Sequence, residues 1–152
     1  MGIWDTFRPS KKQEEKPLGH DYRDDFIARV VRGKSFVDVG GLWGTVSEKV
    51  SVAHAAGAAQ LTMIDIAEKG NALWQSFEAR MRERGIQGCK QISANILTLS
   101  ENLSFDVVHS SGVLYHVPDP LGYLNRLQEM TREHLVLASC YTAEEVRNAK
   151  GV

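Results

Sequence analysis

The fold is decided by residues 35–44, which read Ser35-Phe36-Val37-Asp38-Val39-Gly40-Gly41-Leu42-Trp43-Gly44. Five residues typical of a β-strand end at a pair of glycines. Glycine adopts turn conformations that other residues avoid, and it lets a ligand approach the backbone closely. Residues 45–56 then have the pattern of a helix, with Gly57 beyond it. This order of strand, glycine turn and helix predicts a ligand-binding loop at the end of a buried strand.

The remainder of the chain repeats this alternation of strand and helix. Helices are predicted at residues 21–32, 71–84 and 120–131 and from residue 143, and strands at residues 60–65, 89–94, 105–110 and 133–139. Such alternation favours right-handed βαβ crossovers and a parallel sheet. The strands are nearly continuous apolar runs, as expected when helices cover both faces. In folds of this kind ligands bind beyond the carboxyl ends of the strands, so the candidate site residues are those that end each strand.

Length and composition limit the function further. The 152 residues suffice for one domain, which we expect at residues 20–152, behind an arm or lid at residues 1–19. A net charge of -1 disfavours nucleic acid as a partner. The two cysteines, Cys89 and Cys140, form no disulfide framework, and this favours a reducing, cytoplasmic location. No run is apolar and long enough to predict a membrane span.

The charge of the residues around the glycine loop limits which class of ligand the loop can bind. The glycines fit neither the dinucleotide fingerprint nor the P-loop. Asp38 stands two residues before the first glycine, where a carboxylate would repel a pyrophosphate and attract a cofactor that is positive at this point. Asp65 ends the next predicted strand and is placed to accept hydrogen bonds from ribose hydroxyls.

Two segments carry a resemblance to a known family. Residues 37–44 resemble motif I of class I S-adenosylmethionine-dependent methyltransferases, D/E-x-G-x-G-x-G. Residues 105–116, Phe105-Asp106-Val107-Val108-His109-Ser110-Ser111-Gly112-Val113-Leu114-Tyr115-His116, are similar to motif IV of a large subgroup, F-D-x-V-x-x-x-G-V-L-Y-H. The resemblance runs from about residue 22 to residue 139. It implies a Rossmann-like, doubly wound α/β fold with five mostly parallel strands in the order 3-2-1-4-5.

The same resemblance implies S-adenosylmethionine as cofactor and S-adenosylhomocysteine as product. Asp65 looks like the family's ribose-binding acid, and Asn95 like the residue that contacts the adenine amino group. Tyr22 is assigned to the cofactor's carboxylate, with a core aromatic as the alternative. The full set of predicted cofactor-binding residues is Tyr22, Asp38, Gly40, Gly41, Leu42, Gly44, Asp65, Ile66, Asn95, Ile96, Ser110 and Ser111.

The chain departs from the family pattern in two places. Leu42 replaces the middle glycine of motif I, which either tunes cofactor affinity or marks a decayed site. The chain also ends at Val152, without most of the family's C-terminal β6-β7 hairpin. We therefore expect a domain truncated from a longer protein, an additional C-terminal domain, or a homodimer through the open sheet edge.

Methyl transfer from a sulfonium needs a positioned acceptor and, for a hydroxyl, a base. His116 follows the fourth strand and is predicted to be that base or an orienter of the acceptor, with Tyr115 beside it. The alternative is a structural histidine that closes the loop before Pro118. His109 is expected to pack away from the cofactor if Val108 and Ser110 face it. No histidine has metal-ligand spacing.

Two motifs that are typical of other methyl acceptors are missing from the sequence. No Asn-Pro-Pro-aromatic run for planar amines follows the fourth strand, and no Pro-Cys nucleophile is present. We therefore expect O-methylation of a small hydroxylated acceptor, such as a sugar, a glycan or a natural product. The alternatives are a non-catalytic scaffold on the same fold, a tRNA-modifying transferase, and an NAD-binding domain, which the missing fingerprint disfavours.

Overall fold

The computed structural model describes residues 19–140, without the side chains of residues 44–46. Its helices are α1 (Tyr22–Val30), α2 (Val50–Ala55), α3 (Ala72–Glu83) and α4 (Pro120–Met130). Its strands are β1 (Ser35–Val39), β2 (Gln60–Asp65), β3 (Lys90–Ser93), β4 (Phe105–Ser111) and β5 (Thr131–Ala138). Two 3-10 helices span Gly41–Ser47 and Leu114–His116. Residues 1–18 of the expected arm (residues 1–19) and the helix expected from residue 143 lie outside the described residues.

The five strands form one parallel sheet in the order β3-β2-β1-β4-β5, which confirms the predicted fold class and strand order. The chain moves outward from β1 to β3 on one side and then crosses to β4 on the other. The switch point therefore lies between β1 and β4, where such sheets bind ligands. Register pairs Asp38 of β1 directly with His109 of β4.

Helices cover both faces of the sheet, so the strands are buried on both sides. One core cluster joins Phe36 and Val107 of the sheet to Ile27, Trp74 and Phe77 of α1 and α3. The other cluster lies under α4 and, among its members, contains Val37, Val108, Leu127 and Met130. Neighbouring residues of each strand enter opposite clusters because strand side chains alternate. Of the helices in residues 19–140, none has the length and apolar character that crossing a bilayer requires.

Side-chain caps mark where three helices begin. Asp21 accepts a hydrogen bond from the backbone of Arg23 at the start of α1. Asn71 accepts from the second and third residues of α3. Asp119 caps α4, whose first residue is Pro120. Each cap pairs a backbone N–H that the helix itself leaves without a partner. These are the positions where the sequence pattern predicted helix starts, within one residue.

The prediction of one helix over residues 45–56 was wrong. The 3-10 helix ends at Ser47, Glu48 is extended (φ −59°, ψ 148°), and α2 begins only at Val50. The physical reason is that carboxylates cap this later start. Asp38 Oδ2 accepts from the backbone N–H of Lys49 at 2.8 Å, and Glu48 Oε2 accepts from the N–H of Ser51 at 2.9 Å.

Candidate functional site

A cavity of about 810 Å³ opens at the carboxyl ends of β1, β2 and β4, at the switch point of the sheet. Its size is within the range of about 300–1,000 Å³ that is usual for small-molecule and cofactor pockets. It brings together most of the predicted site residues, namely Asp38, Gly40, Gly41, Asp65, Ile66, Asn95, Ile96, Ser111, Tyr115 and His116. It also contains residues that the sequence pattern did not assign to the cofactor, above all Arg23, His109 and Tyr123.

At the two glycines of the turn after β1, the neighbouring atoms leave no space for a side chain. Gly40 is left-handed (φ +81°), and a Cβ built on it would overlap Cγ2 of Val113. A Cβ on Gly41 would lie 2.6 Å from Oδ2 of Asp38. The turn thus brings backbone against both the motif IV loop and the end of β1. Gly44 lies in the 3-10 helix that follows.

We expect Gly40→Ala to destabilise the fold by about 3 kcal/mol, since it combines a left-handed alanine (about 1–2 kcal/mol) with a steric overlap against Val113. Gly33→Ala is the matched control. Gly33 is also left-handed (φ +72°), but a Cβ added to it would meet nothing within 4 Å. The free energy of unfolding of this variant should therefore fall by only about 1 kcal/mol. Urea unfolding measures both. Equal losses would show that packing against Val113 is not what requires glycine here.

Asp38 is fully buried, and both of its carboxylate oxygens contact protein groups. Oδ1 lies 2.7 Å from Nδ1 of His109, and Oδ2 accepts from the backbone of Lys49. Asp38 therefore acts on the cavity through its charge and through the groups that it holds. Its predicted contact with the cofactor stays a prediction.

Asp65 ends β2 and is also buried, with an exposed fraction of 3%. Oδ1 accepts from the backbone of Ala67 at 2.9 Å, and Oδ2 accepts from that of Leu42 at 3.3 Å. Burial raises the pKa of Asp65 above its ordinary value of 3.8, although the backbone bonds to Ala67 and Leu42 lower it. Because each carboxylate oxygen can accept twice, Asp65 keeps capacity for two hydroxyl donors from the cavity.

Arg23, and not Tyr22, is the residue of α1 that lines the cavity. Its Nε and Nη2 donate to Asp21, and its Nη1 donates to Oγ of Ser111. The bond to Asp21 raises the pKa of Arg23. Arg23 lies one helical turn before the buried Ile27, so both share the inward face, and this spacing is the signal that could have identified it.

Tyr22 lies about 100° around the helix from that face, and the alternative interpretation of it as a core aromatic was wrong. It is 65% exposed and outside the cavity lining, so its predicted contact with the cofactor's carboxylate stays a prediction.

Two further residues that were predicted to contact the cofactor lie outside the cavity lining, and their contacts stay predictions. Leu42 is fully buried in the core beneath α1 and α3 and is not part of the cavity wall. Ser110 faces α4, where its hydroxyl donates to the carbonyl of Val39 and meets the hydroxyl of Tyr123 at 2.9 Å.

The expectation that His109 points away from the cavity was likewise wrong. It assumed the opposite side-chain alternation along β4. His109 and Ser111 face the cavity, together with Asp38 of the neighbouring strand.

Tyr115 and His116 lie in the second 3-10 helix at the cavity rim. Their ring centroids are 4.3 Å apart, and both side chains are exposed. Asn95, which follows β3, accepts from the backbone of Leu97 through Oδ1 at 3.0 Å. Ile66 is 67% exposed beside it. The cavity thus has polar groups at β1 and β4, an apolar wall with Asn95 at β3, and an open rim at the two aromatic rings.

Comparisons with known proteins agree with this fold. Residues 12–150 match a family model described as a methyltransferase domain. The chain is 33% identical over 119 residues to ubiquinone biosynthesis O-methyltransferase of Stutzerimonas stutzeri (strain A1501), an alignment that covers 77% of the chain. The chain spans about half of that relative, since the match covers 47% of its length.

Solved methyltransferase structures share the fold. Magnesium protoporphyrin IX methyltransferase ChlM of Synechocystis PCC 6803, with bound S-adenosylmethionine, has a TM-score of 0.63 at 20% identity, covering 86% of this chain and 64% of its own. The N-methyltransferase NodS of Bradyrhizobium japonicum WM9, in complex with S-adenosylhomocysteine, has a TM-score of 0.54 at 17% identity, covering 76% and 59%.

Proposed function

The chain belongs to the methyltransferase domain family, solved structures with the same fold contain S-adenosylmethionine or S-adenosylhomocysteine, and we propose that it transfers the methyl group of S-adenosylmethionine to a hydroxyl of a small acceptor. The observation that carries the proposal is the cavity at the switch point. It places the glycine turn, two buried aspartates and an exposed histidine around one space. The resemblance of the chain to an O-methyltransferase supports oxygen as the accepting atom.

The cofactor is proposed to lie across the carboxyl ends of β1, β2 and β3. Asp65 accepts the ribose hydroxyls, and Asn95 meets the adenine amino group. Ile66 and Ile96 provide the apolar walls for the base. The methionine part lies against Gly40 and Gly41, where only backbone separates it from the sheet. Arg23 is the cation that the cavity offers to the carboxylate, because its guanidinium already reaches Ser111 at the end of β4.

The acceptor is proposed to enter at the rim formed by Tyr115 and His116. In the reaction the acceptor oxygen forms a bond to the methyl carbon as the bond between carbon and sulfur breaks, and the hydroxyl proton goes to His116. The chain's part is to align oxygen, carbon and sulfur and to exclude water. Free thiols at Cys89 and Cys140 support a reducing, cytoplasmic location.

Calorimetry with S-adenosylhomocysteine tests the binding half of this proposal. We expect saturable binding at micromolar concentrations. No heat at millimolar ligand, from protein that melts cooperatively, would refute it.

Transfer is tested with S-adenosylmethionine labelled in its methyl group. The label should appear on phenolic or sugar hydroxyls in a panel that also contains amines and transfer RNA. Label on amines or RNA alone would refute a hydroxyl acceptor. Binding without label on any member would favour the non-catalytic scaffold instead.

A further inference from the structure

His109 is the residue of the cavity whose chemistry the proposed function leaves unused. Its exposed fraction is 2%, and it lines the cavity from the centre of the sheet. Within residues 19–140, its Nε2 is the buried side-chain nitrogen or oxygen without a hydrogen-bond partner. A buried polar atom left without a partner is destabilising by about 1–3 kcal/mol. In a residue that lines a cavity, such an atom is best explained by a ligand that supplies the missing bond.

The partner at the other ring nitrogen defines what Nε2 can do. Nδ1 of His109 lies 2.7 Å from Oδ1 of Asp38, whose exposed fraction is zero. A carboxylate only accepts hydrogen bonds, so Nδ1 carries the proton of this pair. In the neutral ring Nε2 then has a lone pair and accepts. The arrangement is that of a carboxylate which holds an imidazole in one tautomer.

The charges around the pair favour a cationic donor. Asp38 places a negative charge directly behind the ring, and Asp65 adds another at the end of β2. The Lys49 ammonium is engaged by Asp21 and Asp24, whereas Arg23, which contacts Asp21 and Ser111, also lines the cavity. The methionine part of S-adenosylmethionine carries an α-ammonium group beside its carboxylate. The end of β4 thus offers an acceptor for one group and a guanidinium for the other.

We propose that Nε2 of His109 accepts a hydrogen bond from the α-ammonium group of the cofactor, with Asp38 holding the ring in the accepting tautomer. This inference rests on the proposed function, because the ligand is the cofactor proposed there. The proposed contact also gives Asp38, the acid of motif I, an indirect role in cofactor binding. The buried Asp38 acts on the cofactor through His109.

His109→Asn tests the contact apart from the packing. The asparagine amide N–H takes the place of Nδ1–H against Asp38, and the acceptor at Nε2 is removed. We expect the affinity for S-adenosylhomocysteine to fall about tenfold to a hundredfold, as for a lost hydrogen bond to a charged group. The affinity for its deaminated analogue, which keeps the carboxylate, should stay within about twofold. Equal losses for both ligands, or for neither, would overturn the inference.

Asp38→Asn tests the tautomer. Its amide N–H would point at Nδ1 while its oxygen accepts from Lys49, so the proton moves to Nε2 and the ring no longer accepts. We expect the same selective loss as in His109→Asn. Normal binding of the deaminated analogue is the internal control for folding in both variants. If Asp38→Asn binds both ligands as the native protein does, the tautomer argument is wrong.

Nitrogen NMR of the native protein, with labelled histidine, decides the question even if both variants fail to fold. The Nε2 resonance of His109 should move when S-adenosylhomocysteine binds and stay in place with the deaminated analogue. Identical spectra with the two ligands would refute the contact. If the native protein binds neither ligand, the proposed function itself fails, whereas binding without selectivity refutes only the role of His109.

Discussion

Replacing Asp65 with alanine should weaken the binding of S-adenosylhomocysteine about 1,000-fold. Two ribose hydroxyls would each lose a bond to a carboxylate, which is worth about 1.5–3 kcal/mol per bond. The site is buried, so water does not replace the acceptor. Calorimetry measures the change directly. Asp65→Asn, which keeps one acceptor oxygen, should fall between the native protein and the alanine variant.

A ligand that lacks the ribose hydroxyls distinguishes the loss of the ribose contact from a disturbance of the turns that Asp65 holds. Asp65 also accepts from the backbones of Leu42 and Ala67, so its removal disturbs the turns after β1 and β2. The 2′,3′-dideoxy analogue of S-adenosylhomocysteine should bind the native protein and Asp65→Ala with similar affinity. If the variant loses affinity for the dideoxy analogue as strongly as for the parent ligand, the ribose contact is not the reason.

The pKa of Asp65 gives this contact a pH dependence with a definite sign. Burial raises the pKa, so on acidification Asp65 takes up its proton at a higher pH than an ordinary aspartate does. The protonated carboxyl accepts hydroxyl donors less well. Binding of S-adenosylhomocysteine should therefore weaken in mildly acidic solution, and less steeply in Asp65→Asn than in the native protein.

His116→Gln is expected to lower the rate of methyl transfer at least 100-fold and to leave the dissociation constant of S-adenosylhomocysteine within about twofold. General bases contribute about 100- to 10,000-fold to such reactions. The side chain is exposed at the rim, so its loss should not disturb the core. Single-turnover transfer to the hydroxyl acceptor found in the labelling panel provides the rate.

Tyr115→Phe is the matched control, since it keeps the neighbouring ring, 4.3 Å from that of His116, and removes only a hydroxyl. Its rate should change less than that of His116→Gln. The competing hypothesis is a structural histidine that closes the loop before Pro118. In that case His116→Gln would lower the melting temperature and weaken cofactor binding together, and the rate would fall only in proportion to bound cofactor.

The sequence predicted most of the fold because the strand and helix signals are local. The run from Ser35 to Val39, its glycines and the caps at Asn71 and Asp119 each act on their own neighbours. The error at residues 45–56 arose where distant carboxylates, above all Asp38, decide the start of α2. The resemblance to motifs I and IV likewise indicated the edge of the sheet at which the cavity lies.

What the sequence by itself determined is therefore the order of elements, the binding edge and the residues that line it at or just after the strand ends, including Asp65 and Asn95. Only the tertiary structure decided which neighbouring residue faces the cavity. Period-two alternation shows that His109 and Ser110 lie on opposite faces of β4, but it does not show which face the ligand meets. The register of β4 against β1 settles this, because it pairs His109 with Asp38 on the cavity side. The packing of α1 on the core selects Arg23 over Tyr22 in the same way.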